Sequence, residues 1–543
     1  MDSPEGFRGI FRDDDEARAV YSEAAGIARI LPRAVAVPAD TADVQTLVRW
    51  ARATGTPLVP RGSGTSMAGG AVGPGVVVDL GRLRAIGAVD AAARRIAVGP
   101  GALRGEVNAR AHEHGLRFPV DPSSGAFCTI GGMAATNAAG AHTLRFGAMR
   151  AWVEALDCVF EDGSRGTVRR GEPPPDVPAV RRFLERAAPV LRGDAAVASL
   201  AHDVRKESSG YAVAEWLRTD DLVDLLVGSE GTLALFVGVE LRLLERPGAT
   251  SSLLAAFASL DDAVRGAALA RDAGASACEL LDRTFLDVAA QGGGGHAALV
   301  PAGVEAALLV EVEGPDAAAA AATAGIIERA VRDAGASTVR LALDHVSEPA
   351  LWSLRHAASP ILARLDPALK SMQFIEDGAV PPERLADYVR GVRRALDARG
   401  VRGVIFGHAG DAHVHVNPLV DVRRPDWRAV VAGLLDEVTG LAAELGGTIA
   451  GEHGDGRLRT PLLDRVWRSP AAALFRAVKE SFDPAGILNP GVKVPLAEQL
   501  PIEAIKYDPE LAPHPPAARR ALEIVERERA YARFRLEMLE TPG

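Results

Sequence analysis

With 543 residues the chain exceeds the ~100–200 residues of a typical domain, so two or more folding units are expected. Hydrophobic residues make up 48% and charged residues 24%, the proportions of a globular protein, which excludes wholesale disorder. The net charge of −10, with basic residues scattered, leaves no electrostatic footprint for nucleic acid; the three cysteines, Cys128, Cys158 and Cys278, form no CxxC pair, so neither a disulfide framework nor an iron–sulfur or thiolate-zinc site is legible.

The opening stretch MDSPEGFRGIFRDDDEAR is acidic and lacks an apolar core, so no secretory signal is expected. Other apolar stretches are broken by charge or glycine before the ~20 residues needed to span a bilayer. A cytoplasmic location is the default, with peripheral membrane contact left open. Residues 40–60 predict a helix and then a strand: Asp40 or Thr41 as cap, Val44, Leu47, Val48 and Ala51 on one face, Gly55 at the left-handed end. PLVP leads into the glycine-rich turn Arg61 to Gly70, followed by the strand GVVVDL, the strand RRIAVGPG and a helix from about Leu103 to His114. Strands and helices alternate over short connections, as in α/β architectures.

Further on, LLAAFASL and ALLVEVEG each precede a helix that ends in RDAGAS, at Ser276 and Ser337. Two such βα units fit a ferredoxin-like antiparallel sheet with helices on one face. The boundary is expected near Arg246-Pro-Gly248. Prolines at 509, 513, 515 and 516 mark a linker, and ARRALEIVERERAYARFRLEMLE predicts one helix with Leu522, Val525, Phe534 and Met538 near one face, packed on the body of the protein. The expected whole is α+β: a two-subdomain N-terminal unit over 1–246, an antiparallel-sheet cap over 247–500, and a linker with a C-terminal helix over 501–543.

The turn Arg61-Gly-Ser-Gly-Thr-Ser-Met-Ala-Gly-Gly70 follows a strand, where backbone amides can approach a phosphate closely. It is neither GxGxxG nor a Walker loop, and such a turn alone is more often only a turn. What changes this is the ordered set PRGSGTSMAGG, VGPGALRGEVN, DPSSGAFCTIGGMAATNAAG, KESSGY and GSEGTLALF. In order and spacing these segments resemble the vanillyl-alcohol oxidase/p-cresol methylhydroxylase superfamily of FAD proteins, in its D-lactate, D-2-hydroxyglutarate and glycolate dehydrogenase branch, over roughly residues 30–495. The resemblance implies FAD held by Arg61, Gly62, Ser63, Gly64, Thr65, Ser66 and Gly69, by Pro122, Ser123, Thr129, Gly131, Gly132, Asn137 and Gly140, by Glu230, Gly231 and Thr232, and by Asn489. The first loop has neither histidine nor cysteine, so non-covalent FAD is expected.

Two later segments carry polar residues that are hard to explain structurally. In Gly407-His-Ala-Gly-Asp-Ala-His-Val-His-Val-Asn417 the period of two puts His413 and His415 on one strand face, and a Gly-Asp turn can fold His408 back toward them. Gly451-Glu-His-Gly-Asp-Gly456 adds carboxylate and imidazole, ligand types suited to a divalent metal such as zinc or manganese. The resembling family's motifs imply metal ligands at His408, His415 and Glu452 and the active-site base at His453. Ala412 and His413 depart from its usual Gly and Asn, so the extra imidazole can be a ligand, alter substrate choice, or do neither. Arg355, after Trp-x-x, matches the family's clamp for the substrate carboxylate, with Lys370 as a second cation and Asn417 as a hydrogen-bonding group. Asp411 or Asp455 is expected to orient a histidine.

The implied activity is oxidation of a small D-2-hydroxy acid to the 2-oxo acid by hydride transfer to FAD. Two alternatives stand beside it: other oxidase or alkyl-transferring chemistry on the same fold, and a non-catalytic flavin subunit of a larger electron-transfer complex. The chain carries no cysteine set for an iron–sulfur module, which implies a separate electron acceptor: a quinone, an electron-transfer flavoprotein or an iron–sulfur protein. A homodimer is compatible with the sequence.

Overall fold

The computed structural model describes residues 1–193, 197, 200–291, 298–299, 303–344, 346–356, 368–502 and 504–540. Asp40 caps the helix Thr41–Thr54 by accepting from the Asp43 N–H, a contact worth ~1 kcal/mol. Val44, Leu47, Val48 and Ala51 form its buried face, and Gly55 ends it at φ 64°. The chain then enters Leu58–Arg61, which lies parallel to Val76–Asp79, itself parallel to Ala34–Val37; Ile10–Arg12 closes the edge antiparallel. A second sheet is antiparallel, in the order Ile86–Asp90, Arg95–Val98, Leu235–Arg242, Val153–Val159, Arg165–Arg169. The glycine turn leaves the carboxyl end of the parallel strands, where open α/β sheets commonly bind ligands.

The repeated βα units form as the sequence suggests. Ala249–Phe257, Ala277–Asp282, Ala306–Gly314 and Thr338–Ala342 pair in the order fourth, first, third, second, the split-βαβ arrangement. Leu260–Asp272 and Ala317–Asp333 cover one face, where Phe257, Leu308 and Val310 are buried against Ala263, Ala267, Ala324 and Ile327. Leu254, Leu281 and Leu309 point the other way, toward Leu351, Leu354 and Phe285. The sheet continues through Arg402–His408, His413–Asp421 and Leu369–Ser371. These added strands carry the histidine-rich segment.

Polar contacts tie this sheet to the N-terminal part. His142 Nδ1 meets Asp121 Oδ2 at 2.6 Å and its Nε2 meets Glu311 Oε1 at 2.6 Å; Arg117 grips Glu313 with both ends of its fork. Burial opposes the charged imidazole, but Asp121 and Glu311 outweigh it and hold its pKa well above the ordinary value. A raised folded-state pKa gives stability that is fully present below the unfolded value of about 6.5 and is lost as pH rises through the folded value. His142→Ala should therefore destabilise the protein by roughly 3 kcal/mol at pH 6, as for a broken buried pair, with the deficit shrinking at alkaline pH. Urea melts of both proteins across pH check this; a deficit independent of pH contradicts it.

The tail departs from the single predicted helix. It forms Pro516–Glu528 and Arg535–Leu539, separated at Arg529, which takes the left-handed φ of 54°. Phe534 lies just before the second helix rather than on a continuous face. The break lets Leu536 and Met538 join Ala518, Ala521 and Val525 against Ala17, Val20, Tyr21, Val35 and Val59, so the tail does pack on its own body. Among the described residues no helix is long and apolar enough to cross a membrane.

Candidate active site

The glycine turn is pressed against a helix start. A Cβ on Gly62 would lie 2.1 Å from Thr129 Oγ1, whose oxygen caps Ile130–Thr136 by accepting from the Gly132 N–H. Only glycine permits that approach. The Ser63 and Ser66 hydroxyls are buried without a hydrogen-bond partner among the described residues. Leaving a buried hydroxyl unpaired costs free energy, and two on one glycine turn suit a ligand that brings anionic oxygens. The donor set therefore fits the diphosphate of FAD. Gly64, Thr65 and Gly69 lie in the same turn, Gly131 lies in the first turn of that helix and Gly140 just beyond its end, while Pro122 is half-buried and Ser123 exposed.

Several side chains expected on the cofactor are engaged elsewhere. Arg61 is buried beneath the turn and donates to the carbonyls of Tyr21, Ala71 and Glu23. Glu230 accepts from the Asp455 and Gly456 amides and pairs with Lys493 at 3.1 Å. Asn489 donates to the carbonyls of Gly70 and Glu230 and accepts from Arg457. Asn137 accepts from the Arg150 amide and donates to the Glu207 carbonyl, while the Thr232 hydroxyl bonds Ser229 and Tyr211. These groups hold buried loops together; their polar atoms are satisfied by protein, and Gly231 contributes backbone only.

The histidines converge. Arg402–His408 and His413–Asp421 form a hairpin that pairs His408 with His413 and Phe406 with His415, so all three imidazoles share a face. Glu452 returns to that face from a segment that needs Gly454, where φ is 77° and a Cβ would lie 2.5 Å from Glu230 Oε1. His408 Nε2 is 3.4 Å from His415 Nε2, and Glu452 Oε1 lies 3.6 and 3.2 Å from these two nitrogens. His408 Nδ1 faces Glu279 Oε1 at 2.5 Å and His415 Nδ1 faces the Glu376 carbonyl at 2.9 Å. Both partners are acceptors, so neutral rings carry their hydrogens on Nδ1, and two Nε2 lone pairs and a carboxylate oxygen point at one spot. A divalent cation fits this donor set.

His453 adjoins the cluster, with Nε2 3.6 Å from Glu452 Oε1 and Nδ1 3.2 Å from Glu376 Oε1. Burial lowers its pKa, but Asp377, Glu376 and Glu452 prevail and raise it to about 9. His413 is fully buried; its Nε2 meets Asp377 Oδ1 at 2.8 Å, its Nδ1 has no partner among the described residues, and burial pushes its pKa down to about 3.

Arg355 is brought to the cluster through Glu279. Its Nε donates to Glu279 Oε2 at 2.7 Å, and its guanidinium lies 4.5 Å from the centre of the Phe406 ring. Asn417 shares the histidine face two residues beyond His415 and is half-buried. Lys370 is not brought in: its strand pairs it with Val420, and its ammonium lies over Tyr507, 5.3 Å from the ring centre. Among the described residues, Asp411 and Asp455 orient no histidine either. Asp411 faces Arg205 and Lys206, and Asp455 accepts from Ser209, Gly210 and Lys493.

The orienting carboxylates are Glu279, Glu376 and Asp377. Burial disfavours the charge on Glu279, yet His408 and Arg355 hold its pKa well below the usual carboxylate range. Arg459 pairs with both Glu376 and Asp377. Lys206 is buried between the Gly140 carbonyl at 2.9 Å and Glu452 Oε2 at 3.3 Å, joining the loop at Gly140 to the histidine cluster. The sequence assigns none of these residues a role at the site, although Lys206 opens the motif KESSGY, and a charge inside ACELLD and the pair in FIEDG are visible signals.

Comparison with known proteins agrees with this geometry. Residues 32–169 match the FAD binding domain model and residues 246–492 the model for the C-terminal domain of FAD linked oxidases. The glycolate oxidase subunit GlcD of Bacillus subtilis is 30% identical over 490 residues, covering 89% of this chain and 93% of that protein. D-lactate dehydrogenase of Archaeoglobus fulgidus is 29% identical, covering 85% and 92%. A solved 4-ethylphenol oxidase from Gulosibacter chungangensis, 16% identical, superimposes with a TM-score of 0.65 over 90% of this chain and 94% of that one, a likeness of fold. The chain belongs to the FAD-linked oxidases, in the family of the glycolate oxidase subunit GlcD and the D-lactate and D-2-hydroxyglutarate dehydrogenases.

Proposed function

We propose that the protein oxidises a small D-2-hydroxy acid to the 2-oxo acid, with non-covalent FAD on the loops around Gly62–Ser66 and Thr129–Gly132 and a divalent cation on His408, His415 and Glu452. The observation that carries this reading is the convergence of two Nε2 lone pairs and a carboxylate oxygen beside His453 and within one residue of Arg355, through Glu279. When bound, the cation would draw in the substrate's hydroxyl and carboxylate oxygens, lower the hydroxyl pKa and oppose the negative charge around His453, and oxidised FAD would accept the hydride.

The side chains do the remaining work. His453 Nε2 takes the hydroxyl proton while Glu376 holds Nδ1, so ring orientation is fixed before the substrate arrives. Arg355 is a fork suited to the substrate carboxylate, kept in place by Glu279. Lys206 restrains the Glu452 oxygen that faces away from the histidines. His413 braces Asp377, which also accepts from the Glu452 and His453 amides and so fixes both residues. Electrons then leave to a separate acceptor.

Elemental analysis of purified protein tests the metal half. About one divalent cation per chain is expected, lost from a His408→Ala, His415→Ala double variant that still retains FAD. Full occupancy in that variant would contradict the ligand assignment.

A further inference from the structure

The histidine hairpin is closed almost everywhere. From Gly403 to Val416 every residue is buried except Phe406, which is half-buried. Phe406 stands on the same face as His408, His413 and His415, directly opposite His415 in the strand register. Its ring meets both ends of the proposed site. The Arg355 guanidinium lies over it, 4.5 Å from the ring centre, and the His415 imidazole is 5.2 Å away, centre to centre. Phe285 meets it at a steep angle with ring centres 5.6 Å apart, and Leu281, its partner on the neighbouring strand, is fully buried. An aromatic ring backed by apolar core, left half open between a carboxylate clamp and a set of metal ligands, is a wall for the part of the substrate that is neither carboxylate nor hydroxyl.

An acid that reaches from Arg355 to the point where the His408 and His415 Nε2 atoms and Glu452 Oε1 converge crosses this ring. The ring is in contact with both ends, so a long chain has to displace it. The surroundings also oppose a second carboxylate. Glu279, Glu376, Asp377 and Glu452 are all buried around the cluster. The neighbouring cations already answer carboxylates: Arg459 joins Glu376 and Asp377, Lys206 lies 3.3 Å from Glu452 and 3.6 Å from Asp411, and Arg205 lies 3.3 Å from Asp411. Lys370, which the sequence offers as a second clamp, sits over Tyr507 instead. A carboxylate taken from water without a counter-charge is strongly disfavoured, whereas a methyl group laid against an aromatic ring is favoured.

We infer that Phe406 sets the size of the substrate, and that the substrate is a 2-hydroxy monocarboxylic acid with hydrogen or a methyl group at Cα rather than a dicarboxylic acid. The inference rests on the 2-hydroxy-acid reading above and narrows it: Arg355 takes the carboxylate, and Phe406 faces the remaining substituent. Trimming the ring makes room for a longer apolar chain but adds no cation.

The test uses the FAD- and metal-loaded enzyme and reads the second-order rate constant of anaerobic flavin reduction by glycolate, D-lactate, D-2-hydroxyhexanoate and D-2-hydroxyglutarate. In the wild type the better of the two small acids should exceed D-2-hydroxyglutarate by at least about tenfold, and Phe406→Ala should raise the ratio of D-2-hydroxyhexanoate to D-lactate by at least about tenfold, the scale of discrimination by an apolar wall. Ratios are compared because the ring also supports Arg355, whose loosening would slow all four acids together. Calorimetric titration of the oxidised enzyme with pyruvate and 2-oxoglutarate reads the same preference without turnover, pyruvate binding the more tightly. D-2-hydroxyglutarate reacting within threefold of the better small acid, or faster, overturns the inference, as does a D-2-hydroxyhexanoate to D-lactate ratio that Phe406→Ala leaves within threefold. Should Phe406→Ala fail to fold, Phe406→Leu carries the same comparison. A wild-type flavin that none of the four acids reduces would instead overturn the 2-hydroxy-acid reading itself.

Discussion

His453→Ala is expected to retain FAD and metal while flavin reduction by substrate slows by roughly 100- to 10,000-fold, the range for loss of a positioned proton acceptor. The reason is local. Apart from the fully buried His413, whose Nε2 is held by Asp377, His453 is the imidazole beside the cluster whose Nε2 is not one of the two converging lone pairs, and Glu376 fixes its other nitrogen. Stopped-flow mixing with excess substrate under anaerobic conditions reads the first-order bleaching rate directly, independently of any electron acceptor. A rate within threefold of wild type, with FAD content intact, would remove His453 from the chemistry.

The second large effect is expected at Glu279, which touches neither reacting atom. One carboxylate bonds both His408 Nδ1 and Arg355 Nε, so its removal releases a metal ligand and the carboxylate clamp together. Glu279→Ala should weaken metal binding by about 10- to 100-fold, the usual consequence of losing a ligand's orienting partner. It should also raise KM for the acid, because a freed Arg355 no longer presents its fork in one orientation. Glu279→Gln, which keeps an acceptor for one of the two donors, should recover part of the metal affinity. A merely structural role would lower the melting temperature without separating these readouts; metal affinity and KM both unchanged would contradict the assignment.

The sequence exposes ligands more readily than the residues that aim them. His408, His415, Glu452 and His453 announce themselves because imidazoles at period two and a Glu-His pair between glycines have few structural explanations. Glu279 does not: it is one charge in a buried strand, and its partner strand, Arg402–His408, lies more than a hundred residues further on. Lys370 shows the opposite failure. A cation near the motif reads as a second substrate clamp, yet strand register carries it to the far end of His413–Asp421 and onto Tyr507. Glu230 and Asn489 match cofactor motifs, but their polar groups close loop against loop, which no spacing reveals. The fold was more legible, since a capped helix with a clear apolar stripe and a repeated βα unit depend on local pattern. The tail reads as one helix in sequence because nothing in ERERAYARF announces a left-handed Arg529.

The central claim is that flavin, cation and histidine cluster together oxidise a D-2-hydroxy acid. The most direct measurement is an anaerobic absorbance scan of the purified protein before and after adding each enantiomer of lactate and 2-hydroxyglutarate, and glycolate, with and without chelator. The expected result is bleaching of the flavin bands by a D-acid or glycolate, not by an L-enantiomer, and its loss on chelation. Flavin bands that no 2-hydroxy acid bleaches, or bleaching indifferent to chelator, would contradict it.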